Sequence, residues 1–183
     1  MNTFVIRPLF GIAIALSTAS CTSATTGAST APASASTSEK AAQPSAIAES
    51  NKRIMERFTR EFLPTGDAAL AEKFLSPDVV IHFAGQQQQG RDTYLGIVAA
   101  NRKAFPDLVW TVDQMVADGD TVAIRYTMTG TQRGTFAGIP ATGKAVTAQS
   151  MAFYRLADGK IVEERAQLDM LAVLQQIGAI PSP

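Results

Sequence analysis

The apolar rhythm of this chain changes at Pro106, and that change decides its fold class. Before it, apolar residues recur at helical spacing; after it, they alternate as strands do. Ile54, Phe58 and Phe62 recur every four residues with Met55 beside them, while Lys52, Arg53, Glu56, Arg57 and Arg60 fall elsewhere. This is an amphipathic helix, closed by Pro64-Thr65-Gly66. Asp67 caps a short second helix with Leu70, Phe74 and Leu75 on its inner side. Ser76-Pro77-Asp78 then turns the chain into a β-rich run over residues 79–83, and residues 86–90 read as a polar loop. Residues 92–104 suit a third helix using Leu95, Val98 and Ala99, stopped by Pro106.

Residues 108–116, 121–131, 145–156 and 161–168 read as strands. They are joined by Asp118-Gly119-Asp120, a glycine-rich loop over 134–143 and the hairpin signal Asp158-Gly159. A last helix starts near Asp169, uses Leu171, Leu174 and Ile177, and ends at Gly178. Helices first and strands after predict an α+β fold. Three N-terminal helices pack on one face of a strongly curved, mostly antiparallel sheet to make a cone, with a short C-terminal helix.

The N-terminal stretch obeys a different logic. Arg7 precedes an apolar run over residues 9–16, too short to span a bilayer but suited to the h-region of a signal peptide. Small residues then lead into Cys21, the only cysteine. We read residues 1–20 as a lipoprotein-type signal and Cys21 as its lipidation site. Thr18 stands where such signals usually carry leucine, and an ordinary cleaved signal with an incidental Cys21 is the alternative. Residues 21–46 are rich in Ser, Thr, Ala and Pro and cannot bury enough surface to offset their ordering entropy. They read as a disordered tether to a domain over 47–180. The expectation is export to the bacterial cell envelope, with membrane contact only through a lipid anchor. Beyond Cys21 there is no cysteine, which removes disulfides and thiol nucleophiles from consideration.

The chain carries 16 Lys+Arg and 16 Asp+Glu for a formal charge of zero, with no basic cluster, which argues against a nucleic-acid partner. It has no phosphate loop, nucleophile elbow or metal-ligand spacing, so no metal is expected.

The ordered set Phe105-Pro106-Asp107, Asp118-Gly119-Asp120-Thr121-Val122-Ala123, Gly130-Thr131, the loop 134–144, Asp158-Gly159-Lys160-Ile161-Val162-Glu163, and Asp169 followed by Leu174-Gln175-Gln176-Ile177-Gly178 resembles the SnoaL-like polyketide (ester) cyclases. The likeness runs from about residue 50 to 180 and places the chain in the nuclear transport factor 2-like superfamily. It implies a pocket between the helices and the concave sheet face. It also implies cofactor-free ring closure of a polyketide ester by intramolecular aldol condensation, with an aspartate as acid/base. The implied ligand is a small apolar or carbonyl-bearing molecule, and pairing of convex sheet faces in a homodimer is a further implication.

Asp169 matches the family's aspartate. Taking a proton from a carbon next to a carbonyl needs a base within hydrogen-bond reach, and burial strengthens a carboxylate as a base. The same residue begins a helix, where an aspartate commonly serves only as N-cap. His82, the only histidine, alternates with Ile81 and Phe83, and the family often lines its pocket with a histidine here. Where many relatives carry His-Trp after the Val-Glu of the last strand, this chain has Glu164-Arg165, and Gln132 stands where many have His. Glu163, Glu164 and Arg165 read as a solvated strand end. An Arg165–Asp169 contact is conceivable and would weaken Asp169 as a base. Arg125 and Tyr126 fall on opposite faces of one strand, and Gln149 sits mid-strand where it suits a substrate carbonyl. Trp110, Met115, Met128, Met151, Phe136 and Phe153 are the natural apolar walls. The substrate-binding set expected is therefore Gln149, Arg125, Tyr126, Gln132, Arg165, Trp110 and Phe136.

Overall fold

The computed structural model describes residues 45–181. The signal, Cys21 and nearly all of the tether lie outside the described residues. Ser45 accepts a hydrogen bond from the Ala48 amide and caps helix α1 (Ala46–Arg57), so helix begins where the tether is expected to end. Phe58–Phe62 continues α1 as a π-helical turn, with the Leu63 amide bonded to the Phe58 carbonyl at 3.2 Å. A spacing of four residues overshoots the ordinary 3.6-residue turn, and the wider turn keeps Phe58 and Phe62 on one side. Both are fully buried and their rings stack 5.2 Å apart.

Asp67 caps α2 (Ala68–Phe74) through the Leu70 amide, as its position predicts. The chain then enters β1 (Leu75–Phe83), longer than the run expected, and turns through Ala84 and Gly85 into β2 (Gln86–Gln89). The expected polar loop is thus half of a hairpin, paired with residues 80–83 of β1. Ala84 and Gly85 both take positive φ, 50° and 76°, the geometry of a tight two-residue turn. Helix α3 (Arg91–Ala104) buries Tyr94, while Ala99, expected inward, is exposed.

Four long strands complete the sheet: β3 (Val109–Asp118), β4 (Thr121–Thr131), β5 (Ala145–Ala157) and β6 (Lys160–Leu168). Asp158 and Gly159 form the β5–β6 turn at φ 51° and 75°, as the Asp-Gly pair predicts. The sheet order is β2-β1-β6-β5-β4-β3, antiparallel except for the parallel β1–β6 pair. Helix α4 (Met170–Gln176) closes the chain with Val173 and Ile177 buried, and Leu171, expected inside, exposed. The α+β class, the three N-terminal helices on a mostly antiparallel sheet and the short C-terminal helix are those expected.

Two packing features shape the concave side of the sheet. The inward face of β5 is made of small residues, Ala148, Ser150 and Ala152, with Tyr154 beyond them, whereas Met151 and Phe153 point outward at 57% and 55% exposure. Both are expected among the apolar walls, and neither lines the cavity. Small residues are needed on the concave side because space is left there. Secondly, β6 carries one extra residue against β5: Leu156 pairs with Ile161 but Arg155 with Glu163, which leaves Val162 as a bulge. Inward-facing residues therefore change parity, from Ile161 to Glu164, Ala166 and Leu168.

Candidate functional site

The space over the concave face is a cavity of about 400 Å³. Ile81 and Phe83 of β1, Trp110 of β3, Tyr126 and Met128 of β4, and Ile97 and Val98 of α3 make its apolar walls. Thr135, Phe136 and Ala137 of the long loop border it on one side, and Phe136 packs edge-on against Phe105 at 5.1 Å.

Among the described residues, one carboxylate enters this cavity. Glu164 reaches in from β6, and the Tyr154 hydroxyl donates to its Oε1 at 3.3 Å. Tyr126 and Tyr154 share a hydrogen bond between their hydroxyls at 3.2 Å, and Tyr94 comes from α3 to the same carboxylate. Burial pushes the Glu164 carboxyl above the ordinary glutamate range, against the pull of the hydrogen bonds from Tyr94 and Tyr154. Burial first, and then the charge of Glu164, holds Tyr94 and Tyr154 well above the ordinary phenol range. Tyr126 is raised mainly by burial as well. The phenols therefore remain protonated donors around a carboxylate that readily takes up a proton.

The hydrogen count fixes the direction of this network. A phenol has one proton, so when Tyr154 donates to Glu164 it must accept from Tyr126. Once Glu164 is protonated the chain can reverse, and Tyr126 is released to donate into the cavity.

The expected site residues divide sharply. Tyr126, Trp110 and Phe136 line the cavity. His82 does not. It lies on the outer face, its Nε2 3.1 Å from Glu163 Oε1, because strand alternation turns it away from Ile81 and Phe83. Asp169 caps α4, accepting from the Ala172 amide at 2.9 Å, and its side chain is exposed. Arg165 binds Glu163 at 2.6 Å, so the anticipated Arg165–Asp169 contact is replaced by a cluster on the outer face. In that cluster burial works to raise Glu163, but Arg155 and Arg165 outweigh it and leave the carboxyl below its usual range. Arg125 faces Asp113 at 3.9 Å, and Gln149 donates to Thr127 Oγ1, both on the outer face. Gln132 is fully buried but structural. Its amide donates to the carbonyls of Gly134, Ile139 and Pro140 and accepts from Thr142, which ties the loop together.

Glu164, Tyr94 and Tyr154 are the residues that sequence reasoning misses. The available signal is the apolar pair Ala166 and Leu168, which counts Glu164 inward by twos. Starting the count at Ile161 instead gives the opposite answer, because the bulge intervenes.

A sequence profile of the SnoaL-like polyketide cyclases matches residues 53–177. The chain belongs to that family. Solved structures agree with the assignment. A provisionally named SnoaL-like polyketide cyclase from Jannaschia sp. CCS1 superposes with a TM-score of 0.70 at 26% identity, over 76% of this chain and 99% of that one. AclR of Streptomyces galilaeus, provisionally called a hydroxylase, is 30% identical with a TM-score of 0.65, over 75% of this chain and 85% of its own. IdmH of Streptomyces antibioticus, provisionally called a polyketide cyclase, is 29% identical with a TM-score of 0.62, over 70% and 98% of the two chains. Among curated proteins none matches the sequence. This SnoaL-like domain thus has the family's cone and pocket, but the carboxylate in the pocket comes from Glu164 rather than from Asp169.

Proposed function

We propose that the domain carries out cofactor-free acid/base chemistry on a small, largely apolar molecule bearing a carbonyl or ester. The observation that carries this reading is the Glu164 carboxylate, hydrogen-bonded to Tyr154 within a mostly apolar cavity. In the first step Glu164 removes a proton from the carbon next to the substrate carbonyl. The electron pair moves onto the carbonyl oxygen as an enolate. As Glu164 takes the proton its hydrogen bond with Tyr154 reverses, and Tyr126 turns its own proton toward the new oxyanion. The enolate carbon then attacks a second carbonyl of the same molecule. A carbon–carbon bond forms, that carbonyl becomes an alkoxide, and Glu164 returns the proton to it.

The test is deuterium exchange at the α-carbon of β-tetralone in heavy water, monitored by NMR. Accelerated exchange that Glu164→Gln removes supports the reading; exchange at the uncatalysed rate with bound ketone overturns it. A second reading, binding without turnover, is favoured by the placement of His82 and Asp169 away from the cavity. Ligands that stabilise the domain and emerge unchanged, with no exchange, would select it.

The proposal includes the setting read from the N-terminal residues: export, and anchoring through acylated Cys21. In a bacterial host the full chain is expected to incorporate labelled palmitate, and Cys21→Ala is expected to abolish that label. A wild-type chain that is exported but unlabelled would assign an ordinary cleaved signal instead.

A further inference from the structure

Among the described residues, the Glu164 carboxylate in this cavity has no ion-pair partner. We infer that the cavity binds cationic amines carrying an apolar or aromatic body, with the ammonium group on Glu164. The inference rests on the reading of this cavity as the ligand site, and not on turnover there.

Three observations converge. Arg102 is the only basic residue among the described lining residues, and its guanidinium donates to the Pro64 carbonyl rather than to Glu164. Around Glu164 the polar groups are Tyr94 of α3, Tyr126 of β4 and Tyr154 of β5, all neutral phenols, so among the described residues no cation pairs with the carboxylate. A buried charge without a partner is costly, and a ligand that supplies the opposite charge recovers that cost.

The second observation is the direction of the hydrogen bonds. With Glu164 ionised, Tyr126 donates to Tyr154 and Tyr154 to the carboxylate. Those protons point at Glu164, so this end of the cavity offers a ligand acceptors rather than donors. An ammonium group has donors and no acceptor, which is the complement required.

The third is the wall. Trp110 and Tyr126 stand edge to face with ring centres 5.9 Å apart, and both border the cavity together with Tyr94 and Tyr154. Aromatic faces attract a desolvated cation. An amine seated here occupies the base and so blocks proton abstraction by Glu164.

The experiment compares three probes of matched shape, naphthylethylamine, naphthylethanol and naphthylpropionate, by thermal shift and calorimetry on the wild-type chain and on Glu164→Gln. The amine is expected to bind the wild type about tenfold or more tighter than the alcohol, the carboxylate weakest, and Glu164→Gln is expected to erase the amine's advantage. An amine that binds no tighter than the alcohol overturns the inference and leaves the cavity as the ligand site. An advantage that survives in Glu164→Gln overturns it too. No binding by any of the three overturns the reading of the cavity itself. Should Glu164→Gln not fold, the ranking of the probes on the wild type decides.

Discussion

Glu164→Gln is expected to slow α-proton exchange of β-tetralone by about 10²–10⁴-fold, the usual contribution of a positioned general base. The substitution keeps the side chain's size and leaves a carbonyl oxygen for the Tyr154 hydroxyl, so the network loses its basicity and little else. The pH profile gives a second handle. Only the carboxylate abstracts a proton, and burial raises the Glu164 carboxyl above the ordinary glutamate range. The wild-type rate therefore climbs with pH through that raised value and levels off above it, while any residual rate in Glu164→Gln lacks this step. Asp169→Asn is the companion variant. Asparagine caps a helix about as well as aspartate, and Asp169 caps α4 without lining the cavity, so exchange should persist. Exchange lost in Asp169→Asn and kept in Glu164→Gln would return the base to Asp169.

Phe58→Ala has the largest expected effect on the fold. Its ring sits 5.2 Å from Phe62, 5.9 Å from Phe74, 6.4 Å from Tyr94 and 5.9 Å from Tyr154. Removing it leaves a void among rings that cannot all close in, at a cost of about 3–5 kcal/mol. Against a typical total of about 5–15 kcal/mol this takes much of the margin. Urea unfolding should show a much lower midpoint with an unchanged slope. Two of the four rings carry the hydroxyls of the site, so any folded Phe58→Ala should also exchange β-tetralone more slowly. A wild-type midpoint would show that the neighbouring rings close the gap.

The fold was legible because local rules and global packing agree over most of the chain. Four-residue spacing in α1, the Asp67 cap and the Asp158-Gly159 turn each state one local preference, and the tertiary structure keeps all three. The hairpin of β1 and β2 was not legible. Gln86–Gln89 has no apolar alternation, and its strand exists because β1 offers it an edge. The pocket was only partly legible, for two physical reasons. Met151 and Phe153 are expected among the apolar walls, yet a cavity needs small neighbours, and Ala148, Ser150 and Ala152 supply them. Asp169 and His82 carry functional groups that the family uses, but a residue type says nothing of direction. Alternation along β1 turns His82 outward, and the first turn of α4 takes the carboxylate of Asp169 for itself.

The bulge at Val162 has an evolutionary consequence. Because a strand shows alternate residues to alternate sides, one residue of length on β6 decides which set of side chains the ligand meets. Without it, Glu163, Arg165 and Gln167 would stand indoors and Glu164 outdoors. The inside of this cone is therefore written by counting as well as by spelling. Losing the Val162 codon would straighten β6 and still leave Glu164 opposite Tyr154, so a lineage rewrites this interior only by drawing Val162 into the pairing.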